Sequence, residues 1–212
     1  TKERTIVNRT LLVAALAATT ALAAPAYAVT THSSLASWQS SVSSYSEDTS
    51  YGANFANISS LTLDGGASLN FSPAVNIRTI GSGWSTWSGG YTGQVLYTDG
   101  SSSLAGTFTS AVDSFGFFSE PNPFGIHNFT LTLSDGSSVN GSFDGSAGAG
   151  FLGWTGAGIT GFTISSDVDF AIGDFFVGTS AIPEPATWLT MIAGFGLVGM
   201  AMRRRSTRPA IA

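Results

Sequence analysis

Alternating apolar and polar residues recur along the middle of the chain, and this period of two predicts β-strands. Phe129, Leu131 and Leu133 alternate with threonines, as the inward and outward positions of a half-buried strand do. The Asp-Gly pair at 135–136 follows at once and tolerates the positive φ of a tight turn. The segment that continues to Phe143 is therefore predicted as the second strand of a hairpin.

The same signals recur elsewhere. An earlier hairpin is predicted to turn at the Asp-Gly pair 64–65, and a short helix is predicted from Ser34 to Ser43, anchored by Trp38. Further strands are predicted at 61–63, 68–71, 115–117, 162–164 and 170–177. Many short strands separated by turn signals predict an all-β domain, and their spacing favours a jelly-roll-like β-sandwich.

The composition agrees with a glycine-rich β-domain. The chain has 26 glycines in 212 residues, which disfavours long helices, and no cysteine, which excludes a disulfide framework and thiolate metal sites. Residues 29–182, the predicted secreted domain, hold eleven acidic residues against Arg78 alone, a formal charge of −10. Such a domain repels phosphate backbones, so no nucleic-acid partner is predicted.

Residues 1–28 have the three parts of a secretory signal peptide. Basic residues precede an apolar run from Leu11 to Ala24, and Ala26 and Ala28 supply the small residues that signal peptidase requires. Cleavage after Ala28 is predicted, with the Sec translocon and signal peptidase as partners. An uncleaved N-terminal helix is the alternative.

The C-terminal segment, 183–212, also has three parts in a fixed order along the chain. Its parts are Pro183, Glu184 and Pro185, then seventeen uncharged residues at 186–202, then Arg203, Arg204 and Arg205. Seventeen residues make about 25 Å of helix, the short limit for a bilayer span. The pattern predicts a transmembrane helix with Trp188 at the outer interface and a cytoplasmic C-terminus. A plain anchor that is never processed is the alternative.

This tail resembles the PEP-CTERM sorting signal in its PEPxxWA-like form, found on exported proteins of Gram-negative bacteria that make extracellular polysaccharide. Leu189 stands where the usual form has alanine after Trp188. The resemblance implies processing by an exosortase, a membrane cysteine protease, near the Pro-Glu-Pro segment. It also implies a protein of the cell envelope or extracellular space, anchored transiently in the inner membrane. Residues 115–178 similarly resemble the body of many such proteins.

No recognisable catalytic set appears in the sequence. The histidines, His32 and His127, lack metal-binding spacing, and no Gly-x-Ser-x-Gly motif occurs. His32 is expected in a mobile terminus, and His127 in a loop region as a surface or structural residue. Most aspartates, such as Asp135 and Asp144, precede glycine in turns, where a short side chain bonds nearby backbone. A non-enzymatic domain is predicted, with glycoside hydrolysis by paired carboxylates as the alternative.

Three aspartates near the last strand are the best candidate for a cofactor site. Asp167, Asp169 and Asp174 offer oxygen ligands of the kind that Ca²⁺ prefers, and the first two point the same way along an extended segment. The alternative is a solvated turn before the last strand.

Three aromatic residues in a glycine- and serine-rich loop are the candidates for ligand binding. Trp84, Trp87 and Tyr91 offer flat faces on which sugar rings stack. The alternative is that the tryptophans anchor the loop to the core.

These observations predict an exported envelope or matrix protein that associates with exopolysaccharide. The alternatives are an envelope glycan hydrolase and a calcium-, carbohydrate- or ice-binding module. For ice binding, a flat threonine array is expected, and Thr130 and Thr132 form only a short pair.

Overall fold

A computed structural model describes residues 28–180, 192–196 and 199. Helix α1 spans Leu35–Gln39. The strands are β1 Thr30–His32, β2 Val42–Asp48, β3 Asn57–Thr62, β4 Ser68–Ile80, β5 Gly83–Trp84, β6 Gln94–Tyr97, β7 Ser103–Pro121, β8 Ile126–Leu133, β9 Ser138–Asp144, β10 Gly150–Ser166 and β11 Phe170–Ser180. The all-β prediction is confirmed for this part of the chain.

The strands join in one hydrogen-bonded sheet whose main path runs β2-β11-β6-β4-β7-β10-β8-β9. The named strands pair antiparallel except β4 and β5, which are parallel. Both predicted hairpins are present: β3 pairs with β4 through Leu61 and Leu69, and β8 pairs with β9 through Leu131 and Val139. In each hairpin the Asp-Gly pair lies in the turn that the sequence predicts.

Two long strands connect opposite sides of the core. The first part of β7 pairs with β4, and its last part pairs with β11. Strand β10 follows β7 along both parts, with register shifts on either side of Ile159. The two parts face each other, because the ring centroids of Phe117 and Phe162 are 5.3 Å apart. The core is therefore enclosed by the two ends of the same strands.

Aromatic rings fill this core. The largest of its side chains with almost no solvent exposure are Trp154, Phe115, Phe117, Phe129, Phe170 and Phe175. Phe115 lies at the centre, with its ring centroid 5.1 Å from that of Phe108 and 5.3 Å from that of Trp154. Such ring pairs stabilise the domain beyond the area they bury, by about 0.5–1.5 kcal/mol each.

Helix α1 covers a second, smaller cluster on the outside of the sheet. Trp38 packs against Phe151 and Phe176, and its Nε1 donates a hydrogen bond to the carbonyl oxygen of Trp154 at 2.9 Å. Ser34 caps the helix by accepting a hydrogen bond from the Ser37 amide. The helix is therefore fixed to the sheet by one buried indole.

The region before Gly52 differs from its prediction. The helix ends at Gln39 rather than Ser43, and β1 and β2 flank it where no strand was predicted. The prediction that His32 lies in a mobile terminus is wrong: His32 is 5% exposed and its Nε2 lies 3.0 Å from Thr155 Oγ1. Pairing of β1 with β10 buries it. That burial lowers the pKa of His32.

The two terminal predictions lie mostly outside the described residues. Ala26 and the rest of the signal segment before Ala28 fall there, as do Pro183, Glu184, Pro185, Trp188 and the three arginines. Within the predicted membrane span, residues 192–196 are helical and exposed. None of the helices in the described parts of the chain is both long and apolar enough to cross a bilayer, so the transmembrane helix is not confirmed.

Candidate functional site

The three candidate ligand-binding residues of the aromatic loop, residues 81–91, lie in two different environments. Trp84 is 8% exposed, and its Nε1 donates a hydrogen bond to Glu120 Oε2 at 2.7 Å. Burial raises the pKa of Glu120, whereas its bonds to Thr86 and Trp84 act in the opposite direction. Trp84 therefore anchors the loop to the domain and presents no free face for a ligand.

Trp87 and Tyr91 remain partly exposed and line a cleft of about 390 Å³. The cleft lies between α1 and the aromatic loop. Its other lining residues are Leu35, Gln39, Glu47, Ser88, Gly89, Gly90, Phe118, Asp174 and Phe176. The site thus combines four aromatic rings, of which Trp87 and Tyr91 belong to the aromatic loop, with two carboxyl groups and one side-chain amide.

Local geometry brings the two rings together. Gly89 and Gly90 have φ values of 67° and 77°, which side chains other than glycine adopt at a cost, so the chain reverses between Trp87 and Tyr91. The two ring centroids are 5.9 Å apart. The Tyr91 hydroxyl donates a hydrogen bond to the Gln94 carbonyl oxygen at 2.6 Å, which fixes that side of the cleft.

Asp174 enters the cleft from an irregularity in β11. Pairing with β6 ends at Gly173, pairing with β2 begins at Phe175, and Asp174 between them has a φ of 54°. Glu47 of β2 lies opposite Phe176 in register, and its carboxyl group lies close enough to that of Asp174 to raise the pKa of Asp174. The carboxyl groups of Glu47 and Asp174 are therefore neighbours on the same wall of the cleft.

The electrostatics of this pair are unusual. Asp174 is 9% exposed and its Oδ1 has no hydrogen-bond partner, whereas Glu47 is exposed. Burial and the neighbouring Glu47 raise the pKa of Asp174 to about 7. Burial also raises the pKa of Tyr91 well above its usual range, so its hydroxyl stays neutral.

The three aspartates predicted to bind calcium are not brought together. Asp167 accepts hydrogen bonds from the Asn128 amide and lies 3.0 Å from His127 Nδ1. Asp169 bonds the Tyr97 hydroxyl and Asn122, and Asp174 faces the cleft. Within residues 28–180 and the helical segment of the tail, no group of three or more acids or histidines is placed to hold a metal ion.

Several acids have the turn role that the sequence indicates. Asp135 Oδ1 accepts a hydrogen bond from the Ser137 amide, and Asp144 Oδ1 accepts one from the Ser146 amide, both at 2.9 Å. His127 lies on β8 rather than in the preceding loop region, where its contact with Asp167 gives it a structural partner. The Asp167 carboxylate has a lowered pKa, chiefly through its hydrogen bond to His127.

Strand register reveals a threonine array that the sequence hides. Thr163 of β10 pairs with Thr132 of β8 on one side and Ala105 of β7 on the other, and Thr107 pairs with Gly161. Most outward positions of the adjoining strands carry small uncharged residues, and Ile126, which is 73% exposed at the start of β8, is an exception. The small residues are Asn70, Ser72, Ser103, Ala105, Thr107, Asn128, Thr130, Thr132, Ser138, Asn140, Gly161, Thr163 and Ser165. This outer face is separate from the cleft.

Two polar residues of the cleft, Glu47 and Gln39, are not indicated by the sequence. Glu47 lies in a polar segment without strand alternation, and Gln39 lies at the end of α1. Their position beside Asp174 and Trp87 depends on long-range pairing of β2 with β11, for which a single sequence carries no signal. The adjacent acids Glu47 and Asp48 in an otherwise serine-rich segment are a local indication.

The described residues thus form an all-β domain with an acidic aromatic cleft, and this domain precedes a tail of distinct character. Residues 181–205 match the family model of the PEP-CTERM protein-sorting motif, which includes every tail residue singled out from the sequence. The chain therefore carries a PEP-CTERM sorting signal, and this signal indicates an exported, envelope-associated protein that an exosortase processes. No curated protein is significantly similar to the chain.

Proposed function

We propose that the protein is a non-enzymatic component of the envelope or extracellular matrix whose β-domain binds extracellular polysaccharide in the cleft. In this proposal residues 1–28 direct the chain through the Sec translocon and are removed by signal peptidase. The segment 186–202 then holds the chain in the inner membrane, with the arginines on the cytoplasmic side, until an exosortase acts. Binding to the matrix follows this delivery.

The observation that carries the binding proposal is the composition of the cleft. Trp87 and Tyr91 provide aromatic surface for the apolar face of a sugar ring, while Gln39, Glu47 and Asp174 provide polar groups for its hydroxyls. A volume of about 390 Å³ falls in the range of small-ligand sites.

The carboxyl geometry supports binding rather than hydrolysis. Glycoside hydrolases hold their two catalytic carboxyl groups about 5–5.5 Å apart for retention and about 6.5–9.5 Å apart for inversion. Glu47 lies close enough to Asp174 to raise its pKa, and this proximity favours one shared polar contact over two groups on opposite sides of a sugar bond. Turnover on a panel of envelope glycans, lost on changing Asp174, would contradict the non-enzymatic proposal.

We also propose that the β-domain is a jelly-roll-like sandwich. Its support is that β7 and β10 pair with different neighbours at their two ends and that the facing ends enclose one aromatic core. Such an arrangement leaves the loops and α1 at the surface, where the cleft lies.

Retention of the protein on native exopolysaccharide tests the function. Protein recovered from the medium of its host is passed over immobilised polysaccharide from the same host. Trp87→Ala is expected to reduce retention at least tenfold, because the stacking face is lost. Phe124→Ala, which removes a ring that is 72% exposed outside the cleft, is the matched control and should bind like the unaltered protein. Equal retention of both variants, or none of the unaltered protein, would refute cleft binding.

Ice is the second candidate ligand, favoured by the uncharged outer face. Hydroxyl and methyl groups of Thr107, Thr132 and Thr163 lie on neighbouring strands there. If this face binds ice, the protein inhibits ice recrystallisation and Thr163→Arg abolishes the effect, while Trp87→Ala leaves it intact. Unaltered crystal growth in the presence of the protein would exclude this candidate.

A further inference from the structure

The carboxyl pair in the cleft faces no positive side chain from residues 28–180. Arg78 is the one lysine or arginine in residues 28–180, and its guanidinium carbon lies over the rings of Phe55 and Tyr97, 4.9 Å and 5.5 Å from their centroids. The titratable side chains that surround Asp174 are Glu47 of β2 and the tyrosines Tyr51 and Tyr91, with Asp48 beside Tyr51. A negative charge formed in the cleft is therefore not neutralised by this part of the chain.

Asp174 is also incompletely paired. The residue is about nine-tenths buried, it lines the cleft, and its Oδ1 has no hydrogen-bond donor. A buried oxygen without a donor costs free energy, and a donor supplied by a ligand would recover it. Burial and repulsion from Glu47 raise the pKa of Asp174, as expected for a carboxyl pair without a cation.

The walls of the cleft suit a cation as well. Aromatic faces attract ammonium groups through the ring quadrupole, and tryptophan does so most strongly. Trp87 and Tyr91 supply two rings with centroids 5.9 Å apart, on the same cleft as both carboxyl groups. Rings and carboxylates together favour one chemistry, a positively charged nitrogen.

We propose that the cleft binds the ammonium group of a ligand, and that the ligand is a deacetylated hexosamine unit of extracellular polysaccharide. This inference rests on the proposed function and names the sugar class for its site. Glu47, which is exposed, contacts the ammonium group directly. Asp174, which lines the cleft beside Glu47, also accepts a hydrogen bond from the ammonium group, and Trp87 and Tyr91 pack against the sugar and its cation.

Calorimetric titration with two matched trisaccharides tests the inference. The glucosamine trisaccharide carries ammonium groups, and the N-acetylglucosamine trisaccharide has the same ring without the charge. At pH 7 the protein recovered from the host medium is expected to bind the first at least tenfold more tightly than the second. Phosphatidylcholine vesicles, another source of ammonium groups at an envelope, form the third arm and are expected not to bind.

Charge variants separate a specific site from general attraction. Glu47→Gln is expected to weaken binding of the glucosamine trisaccharide at least tenfold. Asp99→Asn makes the same change in net charge at an exposed turn, where asparagine tolerates the φ of 51°, and should leave binding unchanged. Asp174→Asn, which keeps the side-chain volume, serves as a second variant, and thermal unfolding checks that each variant is folded.

The outcomes distinguish this inference from the function on which it rests. Equal binding of both trisaccharides, equal losses in Glu47→Gln and Asp99→Asn, or binding to vesicles alone would overturn the ammonium sugar site. If neither trisaccharide binds but native polysaccharide still retains the protein through Trp87, the inference falls and the function stands. If the polysaccharide also fails to retain the protein, both fall.

Discussion

Asp174 combines the backbone geometry and the electrostatics of the cleft in one residue. Its φ of 54° lies in a region that aspartate enters more readily than most residues, and this conformation occurs where β11 changes neighbours. The same position buries the carboxyl group beside Glu47. A proton is therefore favoured in the folded state at pH values where an unfolded aspartate is ionised.

This raised pKa predicts that stability falls as pH rises from about 4 to about 7. The folded state holds a proton on Asp174 up to about pH 7, and the unfolded chain releases it near 3.8. The full pKa shift corresponds to about 4 kcal/mol of unfolding free energy. Because solvent at the exposed Glu47 screens the interaction, we expect the free energy of unfolding to fall by an amount on the order of 2 kcal/mol. Thermal unfolding between pH 4.5 and pH 8 measures it.

Asp174→Asn is the control for this titration. The variant keeps Glu120, whose pKa is also raised, and His32, whose lowered pKa acts in the opposite direction, so the difference between the two proteins isolates Asp174. Over this pH range the melting temperature of the variant should fall less than that of the unaltered protein, and the difference between the two falls should be about 4–8 °C. Parallel pH profiles for the two proteins would show that Asp174 is ionised in the folded state.

At the residue scale, the sequence indicates which side chains could act in a site, but it does not indicate which of them lie close together. Trp87 and Asp174 were candidates in two different predicted sites, and strand pairing brings them into one cleft. Trp84 looks the same as Trp87 in the sequence, yet its indole bonds Glu120, which lies 36 positions further along the chain. Which tryptophan is buried depends on that distant carboxylate.

At the scale of elements, close approach of β7 and β10 shapes the core. An added Cβ at Gly153 would lie 2.8 Å from the Phe115 carbonyl oxygen and 2.9 Å from Gly116 Cα, so backbone atoms would have to move. The same strand pair places Phe115 and Trp154 directly opposite each other. Gly153 thus permits the packing of the central rings.

Gly153→Ala is therefore expected to destabilise the domain by about 2–3 kcal/mol, within the range of overpacked cores. Ser165→Ala, at an outward position of the same strand, is the matched control and should change stability by less than about 0.5 kcal/mol. Urea unfolding followed by tryptophan fluorescence measures both. Equal stability of the two variants would mean that the strands separate at Gly153 without cost.

Elements with strong alternation were predictable, and edge elements were not. The alternation of β8 reflects Phe129 and Leu131 packing into one core. Strand β2 lies at the end of the sheet path and is mostly exposed. Because neither of its faces is fully buried, its serine-rich sequence shows no alternation of apolar and polar residues. Strand β1 is only three residues long, and its place is set by pairing with β10.

At the scale of the whole molecule, charge separates the domain from its ends. Seven of the eight basic residues lie outside residues 29–182, whose formal charge is −10. The tail was recognisable from sequence because its signal is a linear order of Pro-Glu-Pro, apolar run and arginines, and residues 181–205 match the sorting motif. The cleft, in contrast, depends on contacts between distant segments.

Intact-mass measurement of the protein from the envelope and the medium of its host tests the central claim most directly. The account predicts a product that begins at Val29 and ends near Pro183-Glu184-Pro185, because both terminal segments serve delivery. Recovery of the full-length, unprocessed chain as a soluble protein of the cytosol would contradict it.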